Sequence, residues 1–232
     1  MKKGKFIVVD GVDGSGKATQ VKLLAERLTK EGFKIKTIDF PRYNDNFFGS
    51  LIGECLTGKY GNFVEVNPKI ASVLYAADRW EASEIIKSWL KKGYIVIADR
   101  YASSNQIHQG GKLRDNKQRK EFLEWLDKME FGVFKIPRPD AIIYLHLPIL
   151  LSMKLIEDRK KADAKGARKY LEGKKDLAEE DFKHLAESRE SAIKIVKGNN
   201  SWVKVECSAN NEILSREEIS NRVYRVFKGL MK

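Results

Sequence analysis

Gly11-Val12-Asp13-Gly14-Ser15-Gly16-Lys17 has the spacing of a phosphate cradle, with two glycines five positions apart and a lysine after the second. Glycines let backbone amides wrap closely around phosphate oxygens, and a helix opening at Lys17 adds partial positive charge at its N-terminus. Lys17 would then reach between the β- and γ-phosphates of a bound triphosphate. The segment from Gly11 to Thr19 is read as the triphosphate-binding stretch. One position departs from the pattern. The hydroxyl residue that normally touches Mg²⁺ is replaced by Ala18. Thr19 follows it, but one helical residue turns a side chain by about 100°, so Thr19 cannot simply take over. A water and carboxylates from elsewhere would have to complete the metal's coordination.

Such a cradle needs a strand before it and a helix after it, and the chain supplies both. Residues 5–10 form an apolar β-type run, and Lys17–Lys30 places Val21, Leu24, Ala25 and Leu28 on one helical face. Further β-type runs lie at 34–40, 94–99 and 141–147, with a weaker one at 202–207. The first, third and fourth are apolar at nearly every residue, as strands buried on both faces of a parallel sheet must be. Helical patterns fall between them, over 68–91, 117–129, 180–197 and Arg216–Leu230. In the first of these patterns Ile70, Leu74, Ala77 and Ile85 mark the apolar face. Alternating strands and helices predict an α/β fold: a five-stranded parallel sheet flanked by helices, with ligands outside the carboxyl ends of the strands. The 232 residues suit one domain. Residues 159–181 are rich in Lys, Arg, Glu and Gly and poor in apolar residues, and are read as a mobile lid. A surface helix laced with salt bridges is the alternative.

The formal net charge is +12, which steers anions; the cradle makes small polyphosphates the expected partners rather than nucleic acid. Cys55 and Cys207 stand apart from any metal-type cluster, which suggests a reducing compartment. No apolar stretch approaches the roughly 20 residues of a membrane span, and a cytoplasmic location is expected. His108, His146 and His184 show no ligand spacing and are read as structural or surface residues.

With the cradle placed, the chain resembles the thymidylate kinase family of P-loop nucleoside monophosphate kinases over nearly its whole length. The motifs are Asp10 to Lys17, Phe40-Pro41-Arg42, Leu74-Tyr75-Ala76-Ala77-Asp78-Arg79-Trp80-Glu81, Asp99-Arg100-Tyr101, the 104–111 stretch and Arg138-Pro139-Asp140. Their combination in this order is specific, although Asp-Arg-Tyr alone is weak. The resemblance implies a P-loop NTPase fold and transfer of the γ-phosphoryl group of ATP, with Mg²⁺, to dTMP. It also implies roles. Asp13 would meet the sugar 3′-hydroxyl near the acceptor phosphate. Arg42 would hold that phosphate through a planar guanidinium. Tyr75 would stack on the base, and Arg79, four residues on and on the same helical face, would reach a base carbonyl. Asp99 would organise Mg²⁺, Arg100 would bridge donor and acceptor phosphates, and Tyr101 would pack against the sugar. Asn105 and Gln106 fall where the family reads the base edge, although Asn105 occupies a place often held by Ser or Thr. Because the P-loop offers Gly14 where some members carry a basic residue, the lid should supply that charge. Arg159, Lys165, Arg168 and Lys169 are candidates, with Arg168 chosen. The adenine should lie near 208–210. Trp80 is read as core. The resemblance also implies a homodimer through apolar helix faces, with 68–91 a candidate.

The acceptor of such an enzyme is a phosphate oxygen with a second pKa of about 6, so it attacks without a general base. Catalysis then reduces to positioning and charge neutralisation. Three readings compete: another pyrimidine monophosphate kinase or a deoxynucleoside kinase, a nucleic-acid-binding P-loop ATPase, and a degenerate nucleotide binder suggested by Ala18.

Overall fold

The apolar runs become the strands of one sheet. In the computed structural model, which describes residues 4–162, 171 and 176–231, these are β1 (Lys5–Gly11), β2 (Ile35–Asp39), β3 (Ile95–Asp99), β4 (Ala141–His146) and β5 (Trp202–Glu206). All pair in parallel, in the order β2-β3-β1-β4-β5. The two-residue period of a strand sends alternate side chains to opposite faces. Phe6, Val8, Val96, Ala98, Ile142 and Tyr144 therefore enter one core, while Ile7, Val9, Ile95, Ile97, Ile143 and Leu145 enter the other.

Helix α1 (Lys17–Lys30) and α10 (Arg216–Leu230) close the second face with Val21, Leu24, Leu28, Ile219, Val223 and Phe227. Ser215 caps α10 in a reciprocal exchange with Glu218, which satisfies two otherwise orphaned amides. The other face is covered by α4 (Ser83–Lys91), α5 (Ala102–Gly111) and α9 (Phe182–Gly198), through Ile86, Ile107 and Ala192. Outside these lie α2 (Phe47–Leu56), α3 (Pro68–Glu81) and α6 (Asn116–Asp127); the end of α7 (Ile149–Ala162) and the short α8 (Leu177–Glu180) fall within the segment 159–181. A π-helical turn at Lys128–Val133 follows α6. A small hairpin, β6 (Ser208–Ala209) with β7 (Glu212–Ile213), follows the sheet.

Two expectations change. The helix expected over 68–91 is two helices, which part at Ala82 with φ −89° and ψ −4°. The turn brings Ala82, Ser83 and Ile86 into the interior. Trp80 is not a core residue: it is 50% exposed, and Ile70, Val73 and Ile85 are exposed as well. The apolar positions that mark the helix in the sequence are thus partly an outward stripe. Of the segment 159–181, residues 159–162, 171 and 176–181 are described. Lys165, Arg168 and Lys169 lie outside the described residues. No helix among the described residues is long and apolar enough to cross a membrane.

Candidate active site

A cavity of about 1100 Å³ opens at the carboxyl ends of β1, β2 and β3. The loop between β1 and α1 forms part of its wall, through Asp13 to Gln20. Gly14 (φ 77°) and Gly16 (φ 83°) hold left-handed backbone there, which a side chain would strain. A Cβ at Gly14 would also collide with the Ser152 carbonyl. Ser152 in turn donates its hydroxyl to the Asp13 carbonyl, so α7 buttresses the loop. Lys17 folds back and donates to the carbonyls of Gly11 (3.0 Å) and Val12 (2.9 Å). Gly11 and Val12 therefore sit behind the cavity wall and hold Lys17, while Asp13 to Thr19 face the space. Burial, reinforced by Arg100, brings the Lys17 ammonium down to about 8.

Arg100, directly after β3, takes φ 64°, a conformation rare for a residue with a side chain. It turns the guanidinium back onto the phosphate loop, where Nη2 donates to Asp13. Nη1 lies 3.1 Å from His108 Nε2. A guanidinium has no acceptor, so Nε2 must be unprotonated. The ring proton then sits on Nδ1, 3.2 Å from the Ser188 hydroxyl. Burial raises the Asp13 carboxyl, but Arg100 and Lys17 overrule it and hold it far below the usual range. Burial and Arg100 both push His108 well below 6.5, against Asp13. His108 and His184 stack with centroids 5.4 Å apart, and both line the cavity. Of the structural and surface alternatives expected for them, the surface one does not hold for this pair.

Asp99 also lines the cavity, and its buried Oδ1 has no hydrogen-bond partner. Burial raises it to about 6, against Lys17 and Arg100. Neighbouring Asp10 is instead saturated by the hydroxyls of Ser103 and Ser104 and by the Gly11 amide. No group of three or more His, Cys, Asp or Glu that could hold a metal occurs among the described residues. Asp99 suits a different arrangement: one carboxylate, with substrate phosphates and waters completing a Mg²⁺ sphere.

At another part of the wall, Tyr75 lies beside Phe63 with centroids 5.9 Å apart. Arg79 is buried, and its Nε (3.1 Å) and Nη2 donate to Glu130, a fully buried carboxylate on the π-helical turn. Asn105 Nδ2 donates to the Ser72 carbonyl (3.2 Å) and to Glu130 Oε1 (3.1 Å). Arg79 and Asn105 both reach the cavity wall. Tyr101 does too, but its ring is anchored in the core against Phe6 and Phe40.

Three placements differ from the sequence reading. Gln106 is off the cavity wall; its backbone carbonyl accepts from the Ser191 hydroxyl on α9. Gln109, four residues from Asn105 and on the same face, lines the cavity instead, with its buried Oε1 unpartnered. Arg42 is also off the wall, because its Nη2 is engaged by Asp45 at 3.2 Å while Pro41 and Tyr43 line the space. Beyond β5 the wall is made by Cys207 and by Ile213 to Arg216 rather than by 208–210, whose hairpin carries the strand reversal at Asn210 and Asn211. At the end of α7, Arg159 lines the cavity and pairs with Glu179 at 2.7 Å. His108, Gln109, Ser152 and Glu130 were missed by spacing. Only the first two left a trace, as helical neighbours of Asn105.

A sequence profile described as thymidylate kinase matches residues 9–219. A probable thymidylate kinase of Thermococcus onnurineus is 40% identical over 160 residues, covering 66% of this chain and 72% of that one. The thymidylate kinase of Plasmodium falciparum is 38% identical over 147 residues, 63% of each. The solved thymidylate kinase of Candida albicans superposes with a TM-score of 0.71 at 23% identity, over 98% of this chain and 92% of that chain, which supports the fold. The phosphate loop, the cavity at the strand ends and a profile match spanning nearly the whole chain agree, and the chain belongs to the thymidylate kinase family.

Proposed function

We propose that the protein transfers the γ-phosphoryl group of ATP to dTMP, giving ADP and dTDP. The observation that supports this reading is that one cavity is lined both by a phosphate loop with its lysine and by Tyr75, Arg79 and Asn105. Arg79 has Nε and Nη2 committed to Glu130, which leaves Nη1 as a donor. Asn105 has its amide nitrogen committed twice, which leaves Oδ1 as an acceptor. A donor beside an acceptor complements the O4 and N3–H of thymine, whereas cytosine presents the reverse order. Tyr75 supplies an aromatic face for the ring.

The acceptor phosphate is mostly dianionic at neutral pH and attacks unaided. Lys17 must leave its two carbonyl partners for the donor phosphates, and Arg100 lies where charge accumulates between donor and acceptor. Asp99 would hold Mg²⁺, which would neutralise phosphate charge when bound. Asp13 orients Arg100 and sits where a 3′-hydroxyl can be met. Its depressed pKa makes it a poor general base, which favours a phosphate over a nucleoside hydroxyl as acceptor. Arg168 keeps its proposed role as the lid cation, outside the described residues. The exposed stripe of Ile70, Val73 and Trp80 is proposed as a homodimer face, and the free buried thiols of Cys55 and Cys207 fit the cytoplasm. Incubation with γ-labelled ATP, Mg²⁺ and dTMP tests the reaction. The label should appear in dTDP; label found only in free phosphate would overturn the proposal.

A further inference from the structure

Glu130 does not touch the cavity, yet both residues proposed to read the base depend on it. Its carboxylate is fully buried and accepts from Arg79 through two nitrogens and from Asn105 through one. It lies on the π-helical turn Lys128–Val133, a distortion that occurs often at functional sites. The turn buries Met129 and Glu130 in succession, and the Glu130 carbonyl is itself held by the Ile136 amide at 3.2 Å. A carboxylate without solvent is a costly choice where an apolar side chain could fill the space. Its partners indicate what it achieves.

We propose that Glu130 is a specificity-determining positioning residue, which fixes the donor–acceptor order of the base-reading edge and so selects a keto pyrimidine over an aminopyrimidine. The argument follows the protons. Asn105 has two amide hydrogens, and the Ser72 carbonyl and Glu130 Oε1 take one each. Flipping the amide would aim its oxygen at two acceptors, so the carboxylate locks Oδ1 toward the base. The fork of Arg79 is similarly fixed in plane by two parallel bonds, which leaves Nη1 for the base carbonyl. Without the negative charge only the Ser72 carbonyl holds the Asn105 amide, which then turns more readily. An edge that can offer either a donor or an acceptor no longer rejects cytosine.

This inference rests on the reading of the site as a pyrimidine monophosphate pocket. The test compares wild type with Glu130→Gln, which keeps the shape, removes the charge and presents a donor that competes with Arg79 and Asn105. The ratio of kcat/KM for dTMP to that for dCMP should fall about tenfold or more, carried by KM for dTMP, with KM for ATP within about twofold. A purely structural Glu130 would lower activity on both acceptors alike, and an unchanged ratio in the variant overturns the proposal. An ADP-induced thermal shift reports that the variant is folded. Should it not fold, Glu130→Asp carries the test, because it keeps the carboxylate but is one methylene shorter and cannot reach Arg79 and Asn105 together; its ratio must also fall. Thermal shifts with dTMP and dCMP give the same discrimination without turnover. Failure of the phosphotransfer assignment would show as no turnover in wild type, whereas failure of this inference would show as unchanged discrimination in the variants.

Discussion

Replacement of Arg100 tests whether the charge between the phosphates needs a fork or only a cation. Arg100→Lys keeps one positive charge near Asp13, with Lys17 4.0 Å from the same carboxylate. It has one nitrogen in place of the two spaced nitrogens with which the guanidinium reaches Asp13 and His108 Nε2. Removing one preorganised donor to a developing phosphoryl charge costs about 10²–10³ in kcat. Arg100→Lys should therefore lose turnover on that scale and stay folded. Arg100→Met removes the charge as well and leaves Asp13 buried with Lys17 alone. Breaking a buried pair from one side costs about 3–5 kcal/mol. At about 2–4 °C per kcal/mol for a domain of this size, Arg100→Met should melt about 6–20 °C lower. Initial rates of ADP release and thermal melts of both variants separate the two effects. If Arg100→Lys turned over within about threefold of wild type, the fork would be irrelevant and the placement of Arg100 at the reacting phosphates would be refuted.

Lys17→Ala should abolish nearly all turnover, at least about 10³-fold, in the ADP-release assay; an active variant would contradict the phosphate-loop assignment. Tyr75→Ala should raise KM for dTMP and leave KM for ATP nearly unchanged, since Tyr75 and Lys17 serve different substrates; equal losses would count against stacking. Ala18→Ser restores the hydroxyl normally found at that position and should lower the Mg²⁺ concentration giving half-maximal rate. No change in a Mg²⁺ titration would mean that Asp99 and the phosphates already complete the sphere. His108 is held neutral below its usual 6.5, so between that value and its native one the unfolded chain binds a proton that the folded chain does not. Stability should fall as pH drops below about 6.5, by up to about 1.4 kcal/mol per pH unit for this group. In denaturant unfolding at pH 7.5 and 5.5, His108→Gln should show a shallower fall; an identical fall would remove His108 from the account.

The sheet was legible because β1, β3 and β4 are apolar on both faces and no helix needs such a run. Helix α1 was legible because its apolar period starts at the last residue of the phosphate motif. Helix α5 was not. Its sequence, rich in Ser, Asn, Gln and Gly, has little helical propensity, and it is held instead by packing against α9. That same helix displaced the Gln106 assignment, because the register of its inner face depends on where the helix begins. Trp80 misled because an aromatic side chain turned away from the Arg79 face need not be covered, and Ile70 and Ile85 show that an apolar period reports a face but not what covers it. Glu130 left no mark in the sequence, since its partner Arg79 is 51 positions away and only the π-helical turn makes it point inward. The P-loop was placed by its motif, but the inward fold of Lys17 and the position of Gly11 and Val12 behind the cavity wall were not legible, since they depend on carbonyls rather than on residue type.

ADP release with ATP and Mg²⁺ across dTMP, dUMP, dCMP, dGMP, AMP and thymidine tests the central claim most directly. The donor–acceptor edge and the phosphate acceptor together predict strong turnover of dTMP, with dCMP and thymidine far behind. Preference for dCMP or thymidine, or ADP release that ignores the acceptor, would contradict it.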